Sequence, residues 1–208
     1  MKKSNQWKLG LLVANLFPLV GVLEQNWSLF IVLYIYWFET LIQSFFNAVK
    51  IISTPNYVGK WSKGITYFIV RFGVFIFYSI FLIVFIGFLE QTDEGRMQNL
   101  MAIAFKNKLV NITILNFIIF NLFDYIFNYK LSLSAEEKQM TIKKYTVFFN
   151  ARTLVMHIVI ILCAIVYSFL ANKIIHNKII INIILFSIFI GIKSLVDLFS
   201  NSYAENIK

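Results

Sequence analysis

Residues 28–52 decide the fold of this chain; they read SLFIVLYIYWFETLIQSFFNAVKII. As an α-helix rising about 1.5 Å per residue, the stretch is about 37 Å long and crosses a hydrocarbon layer of about 30 Å. Glu39 lies near its middle, and Gln43, Asn47 and Lys50 follow at steps of four, four and three. Residues at these spacings share one side of a helix. The stretch therefore predicts a helix with one polar flank, whose other flank faces lipid or packed protein.

Composition places the whole chain in the same class of protein. Of its 208 residues, 59% are hydrophobic and 14% are charged, and the mean hydropathy is +0.74. This profile is typical of integral membrane proteins and not of soluble domains. The net charge of +9 does not indicate nucleic acid, because the lysines lie between apolar runs and form no basic face. The single cysteine, Cys163, excludes an intrachain disulfide.

Further apolar runs predict an all-α fold, a polytopic transmembrane helical bundle of about six spans that forms a single domain over residues 1–208. The predicted spans are residues 9–24, 28–52, 65–89, 109–129, 153–171 and 179–199, with a short interfacial helix over residues 96–108. The first run resembles a signal peptide, but Glu24, Gln25 and Asn26 follow it in place of a small-residue cleavage site. We therefore interpret it as an uncleaved span.

The distribution of lysine and arginine predicts the orientation of these spans. Fourteen of the 19 basic residues fall on the side that would hold both termini, and five fall on the other side. Because basic residues are enriched in cytoplasmic loops, we expect both termini in the cytoplasm. Heavy use of Ile, Lys, Asn and Phe points to a bacterial source and hence to a bacterial inner membrane. The hydrophilic segment 130–144 is expected to be a solvated helical turn or loop.

Ionisable side chains within the predicted spans fall at the midplane or in the cytoplasmic half. An unpaired charge at that depth costs several kcal/mol, so these groups should pair or face water. Together with the polar flank of residues 28–52, they define a candidate buried polar site. Its members are Glu39, Gln43, Asn47, Lys50, Arg71, Asp124, Arg152, His157, Lys193 and Asp197.

Spacing and depth suggest specific partners within this set. Lys193 and Asp197 are four residues apart and can pair on one helix face. Glu39 can meet Arg71 across the second and third spans. The amides of the fourth span lie beside its carboxylate; they are Asn116, Asn121 and Asn128, around Asp124.

Plainer interpretations stand beside these. Snorkelling to the cytoplasmic interface or local pairing explains Arg71, Asp124 and Asp197. A hydrogen-bonded packing residue explains His157. For Glu39, two alternatives stay open: a buried carboxylate that joins helices, and a proton-coupled site.

Several chemical motifs are missing from the sequence. It has no Gly-rich phosphate loop, no Cys/His cluster at metal-ligand spacing and no serine in a Gly-flanked elbow. We therefore predict no cofactor and no metal, and assign no catalytic residue; whether the chain is an enzyme stays open, with the balance against it.

Both ends of the chain resemble an uncharacterised prokaryotic membrane family, domain of unknown function 6498. The resemblance rests on NLFPLVGVL at residues 15–23, Trp27, YWFE at residues 36–39, Phe46-Asn47 and Lys50, and then on Ala151-Arg152, His157, Ile160, Lys193 and Asp197-Leu198. It implies a multi-span helical protein without an assigned activity. It also marks as positions of interest Glu39, Asn47, Lys50, Arg152, His157, Lys193 and Asp197. The family's third span often carries His-Tyr-Gly, where this chain has Arg71-Phe72-Gly73.

Three classes of function follow for an integral membrane protein of this kind. The first is a structural or interaction subunit of a membrane assembly, because no catalytic constellation is visible. The second is a small transporter or channel with a cytoplasm-facing polar vestibule around Glu39. The third is a membrane-embedded enzyme that uses Glu39 or His157. The expected partners are the lipid bilayer and either another membrane protein or a second copy of the chain, and not nucleic acid.

Overall fold

The computed structural model describes residues 18–85, 93–146 and 183–193, together with residues 158, 161–162, 165–166 and 180. Every regular element within these ranges is helical, which confirms the all-α prediction. The helices are α1 (residues 18–25), α2 (Leu29–Ile52), α3 (Lys60–Phe85), α4 (Asp93–Ile103), α5 (Lys108–Phe123), α6 (Ala135–Thr146) and α7 (Ile183–Lys193). A π-helical segment, Asp124–Lys130, continues directly from α5.

Three stretches of the described chain are long and apolar enough to cross a membrane: Leu29–Ile52, Lys60–Val84 and Asp93–Lys130. They overlap the second, third and fourth predicted spans. Parts of the first and sixth predicted spans, and most of the fifth, lie outside the described residues. The number of spans and the placement of the termini therefore stay predictions.

The predicted interfacial helix differs from the structure at both ends, since α4 runs from Asp93 to Ile103. It stops because Phe105 adopts a left-handed conformation with φ of 56°. The Lys106 N–H then donates to the Met101 carbonyl at 2.8 Å, and the Phe105 N–H to the Ala102 carbonyl at 3.1 Å. This is the Schellman pattern that closes a helix C-terminus.

A new helix begins directly after this turn, because Asn107 caps it. The Asn107 side-chain oxygen accepts hydrogen bonds from the backbone N–H groups of Leu109 at 3.0 Å and Val110 at 3.2 Å. Asparagine is a favoured residue at this position, because it satisfies N–H groups that have no partner within the helix.

The chain divides into two compact units. The first comprises Met1–Tyr34, Phe81–Thr113 and Phe149–Lys208, and the second comprises Ile35–Ile80 and Ile114–Phe148. In the first, the opening turns of α2 are buried, with Ile31, Val32 and Leu33 almost inaccessible to solvent. In the second, the core contains Ala48, Ile51, Tyr67 and Ile142, with Tyr57, Phe68 and Tyr145 packed against it.

Ile142 belongs to the segment 130–144, which the sequence predicted as a solvated helical turn or loop; the structure differs in the length of the helix and in the burial of this residue. Residues 135–146 form the helix α6, whose inner side enters the core of the second unit. A capping box starts it: the Ser134 N–H donates to Glu137 Oε2 at 2.8 Å, and the Glu137 N–H donates to Ser134 Oγ at 3.2 Å. This reciprocal pair satisfies two N–H groups of the first turn.

Helix α2 is the most buried of the three long apolar stretches. In the most apolar 18-residue segment of α2, 72% of the residues are buried; the corresponding shares are 11% in Lys60–Val84 and 22% in Asp93–Lys130. On the polar flank of α2, Glu39 and Lys50 are buried, whereas Gln43 and Asn47 are partly exposed. The two buried charged side chains must therefore find partners within the protein.

Candidate functional site

The first two residues of the polar flank of α2, Glu39 and Gln43, are hydrogen-bonded to each other within the helix. Glu39 is 3% exposed, and the Gln43 side-chain amide donates a hydrogen bond to its Oε1 at 2.9 Å. The spacing of four residues that placed both on one side in the sequence also brings them into contact. Asn47, one turn further on, is half-buried.

Lys50 ends the polar flank in a partly buried ion pair with Asp124. Its Nζ lies 2.6 Å from Asp124 Oδ2, and the two side chains are 8% and 25% exposed. Sequence reasoning placed both residues in the candidate site but did not pair them. It was correct about one amide, because Asn128 donates to Asp124 Oδ1 at 3.0 Å. Asn121 instead donates to the carbonyl of Phe117 at 2.9 Å.

The backbone carbonyl of Lys50 is also enclosed by side chains. Tyr129 Oη lies 2.8 Å from this oxygen, and Thr54 Oγ1 lies 2.9 Å from it. The two hydroxyl oxygens are themselves 2.7 Å apart. Since the last four carbonyls of a helix lack partners within it, these hydroxyls satisfy one that would otherwise be orphaned. Thr54 and Tyr129 are both buried.

The π-helical segment explains how Asp124 and Tyr129 reach the same residue of α2. In an α-helix, residues five apart point roughly 140° away from each other. A π-helix joins residues five apart by its hydrogen bonds, so the angle between their side chains becomes much smaller. The change of helix type within Asp124–Lys130 thus presents a carboxylate and a phenol to Lys50 together.

Helix α6 completes the enclosure with an aromatic ring. The Lys50 Nζ lies 4.8 Å from the centre of the Tyr145 ring, within the range of a cation–π interaction. Burial of Tyr145, and secondarily the negative charge of Asp124, raise the pKa of its phenol to about 12, against a smaller lowering by Thr141. The phenol therefore stays neutral at physiological pH. We call Lys50, Asp124, Thr54, Tyr129 and Tyr145 the Lys50 cluster.

Other predicted site residues lie elsewhere or outside the described residues. Arg71 contacts Tyr67 on its own helix, with Nε 3.4 Å from the phenol oxygen and the guanidinium 5.7 Å from the ring centre. Lys193 is buried in α7. Arg152, His157 and Asp197 lie outside the described residues, so the Lys193–Asp197 pair stays a prediction.

Thr54, Tyr129 and Tyr145 were missed by sequence reasoning. Thr54 carried a weak signal, because a threonine just beyond a helix end often bonds back to its last carbonyls. For the two tyrosines no local signal exists, since their partner Lys50 is 79 residues away from Tyr129 along the chain.

Chemically, the Lys50 cluster holds the Lys50 ammonium group between a carboxylate and an aromatic ring. Within the described ranges, no group of three His, Cys, Asp or Glu side chains is arranged to bind a metal ion.

The profile of a family of unknown function, DUF6498, matches residues 2–206. Because the match covers nearly all of the chain, the protein belongs to this family, and the resemblance seen in the sequence is confirmed. No curated protein and no solved structure gave a match.

Proposed function

We propose that this member of the family is a multi-pass protein of a bacterial inner membrane that serves as a structural or interaction subunit of a membrane assembly. In this role its buried polar groups fix how its helices pack, and they handle no substrate. The observation that carries the proposal is the Lys50–Asp124 ion pair, closed off by the remaining members of the Lys50 cluster.

The way the cluster is satisfied favours packing over transport. A vestibule needs polar groups that exchange partners with water or cargo, whereas Lys50 bonds a carboxylate and lies against an aromatic ring. Its carbonyl is likewise occupied by two buried hydroxyls. Removing Asp124 would leave the buried Lys50 ammonium group without its counter-charge, which is characteristic of polar groups that join helices.

The membrane location is supported by three apolar stretches of sufficient length and by their exposed apolar side chains. On α3 these include Ile69, Phe72, Ile76 and Phe77. A soluble protein rarely exposes so many large apolar residues along one helix, whereas hydrocarbon solvates them without cost.

Water access to the α2 flank tests the proposed role. Asn47→Cys, in a Cys163→Ala background, is treated with a membrane-impermeant maleimide in inside-out vesicles. Val58, in the loop after α2, is 86% exposed, and Val58→Cys serves as the accessible control; Ala48→Cys serves as the buried control. We expect Asn47→Cys to react as slowly as Ala48→Cys, because helix packing excludes water from the flank.

Labelling of Asn47→Cys as fast as Val58→Cys would contradict this proposal. The flank would then line a water-filled cavity, and the transporter and enzyme alternatives would be tested next with Glu39→Gln. Size-exclusion profiles of each variant verify that the slow reaction reflects a folded protein.

A further inference from the structure

Helix α4 exposes bulky apolar residues beyond its charged first turn. Met97, Leu100 and Met101 are 55%, 59% and 43% exposed, whereas the side that packs on the protein buries Asn99 and Ala102. A short helix in water places its large apolar residues inward and its polar residues outward. A buried asparagine beside three exposed large apolar residues therefore indicates that the later turns of α4 face an apolar medium.

A buried hydrogen bond fixes the level at which α4 lies. Ser28 Oγ donates to Asn99 Oδ1 at 2.6 Å. Ser28 also caps α2, because its Oγ accepts a hydrogen bond from the Ile31 N–H at 3.3 Å. The bond therefore holds α4 beside the first residues of a helix that is apolar enough to cross a membrane. The end of such a helix lies near the boundary between hydrocarbon and headgroups.

Phe105 extends the same outer side at a conformational cost. Its φ of 56° is unfavourable for a bulky residue, yet the residue is 47% exposed. The Asn111 side-chain amide holds this turn by donating to the Phe105 carbonyl at 2.7 Å. Aromatic side chains are enriched at the membrane interface, and strained backbone conformations are kept where they serve a function. An exposed Phe105 in such a conformation is therefore consistent with a ring that enters the interface.

Basic side chains border this apolar side. Lys106 and Lys108 follow Phe105 directly, and both are exposed. Arg96 pairs with Asp93 at 2.5 Å in the first turn of the helix. Lysines beside an apolar helix face are typical of helices that lie in the interface, where lipid phosphates neutralise them.

We propose that α4 lies in the membrane interface, with Met97, Leu100, Met101 and Phe105 contacting the acyl chains of lipid and with Lys106 and Lys108 at the phosphates. This proposal rests on the proposed membrane location of the protein. A protein occupant is less suitable, because a helix of 11 residues, about 16 Å long, offers far less than the area of about 800 Å² per partner in a stable interface.

Depth-dependent fluorescence quenching tests the proposal. Leu100→Cys and Met97→Cys, each in the Cys163→Ala background, are labelled with an environment-sensitive fluorophore and reconstituted into phosphatidylcholine–phosphatidylglycerol vesicles. Because interfacial helices bury their apolar face by about 5–10 Å, a nitroxide near the headgroup end of the acyl chain should quench both labels most strongly. A nitroxide near the chain terminus and aqueous iodide should each quench them less.

Two control positions separate the possible failures. Val58→Cys, at a residue of the loop after α2 that is 86% exposed, should be quenched by iodide. Ile119→Cys, exposed near the middle of the predicted span 109–129, should be quenched best by the deep nitroxide. If Ile119→Cys behaves so while both α4 labels respond to iodide, or to no quencher, the interfacial placement is wrong. If Ile119→Cys also escapes the lipid nitroxides, the membrane location itself is wrong.

Discussion

At the scale of single residues, the feature that matters most is how completely Lys50 is satisfied. Its ammonium group contacts Asp124 and the ring of Tyr145, and its carbonyl contacts Tyr129 and Thr54. A buried ion pair is not by itself strong evidence for stability, because desolvation offsets the attraction. The ion pair matters for stability mainly because removal of one partner leaves the other charge buried and unpaired.

Asp124→Asn therefore should destabilise the protein markedly. It leaves the Lys50 ammonium buried beside a neutral amide, for which we expect a loss of about 2–4 kcal/mol in the free energy of unfolding. The partial exposure of Asp124 keeps the estimate below that of a fully buried pair. Unfolding of reconstituted protein by sodium dodecyl sulfate measures the change.

The double variant Lys50→Met/Asp124→Leu supplies the decisive comparison. It removes both charges together, so most of the lost stability should return. Asp93→Asn is the matched control, because it breaks an ion pair whose carboxylate is almost fully exposed and should change stability very little. Equal losses in the single and double variants would show that the charge pair is not the cause.

At the scale of helices, α2 and α3 approach closely near Gly64. A Cβ placed on Gly64 would come within 2.6 Å of Ile52 Cγ1 and 3.2 Å of the Ala48 carbonyl oxygen. Backbone atoms cannot move aside as a flexible side chain does. The missing side chain at this position therefore sets the distance between the two helices.

Gly64→Ala should consequently weaken the packing of α3 on α2. Overpacking costs roughly 1–3 kcal/mol, and the better helix propensity of alanine returns about 1 kcal/mol, so we expect a small net loss. Gly73→Ala is the matched control on the same helix, since nothing lies within 4 Å of its added Cβ.

This control should leave stability unchanged or slightly improved, again as measured in sodium dodecyl sulfate. If Gly64→Ala proved as stable as Gly73→Ala, the two helices would have room to separate without cost, and the close approach would not be important for stability.

At the scale of the whole molecule, the distribution of charge predicts which loops face the cytoplasm. The loop after α2 and the segment with α6 belong to the lysine-rich side, and α4 belongs to the side with few basic residues. Orientation is thus a property of the complete chain and of no single element.

Labelling from outside the cell tests this orientation. A membrane-impermeant maleimide should label Glu94→Cys in cells with a permeable outer membrane. It should label Val58→Cys only after the inner membrane is also opened. The reverse pattern would place both termini outside, and labelling of both residues before opening would contradict the multi-pass arrangement.

Local sequence patterns were sufficient to predict the helical class and the position of the polar flank. The reason is local: apolar runs of a given length, and the spacing of Glu39, Gln43, Asn47 and Lys50, fix helix faces without any distant contact. The capping box at Ser134 and Glu137 also has a local sequence signature and could have been predicted, although sequence reasoning missed it.

Which polar groups meet depends on the packing of distant segments. Asp124 lies 74 residues from Lys50, and the π-helical segment that turns Asp124 and Tyr129 toward the same residue leaves no periodic signal in the sequence. The partner of Asn99 in α4, Ser28, is likewise 71 residues away along the chain. Local spacing determines the face on which a side chain lies, but the partner that this face meets depends on how distant segments pack.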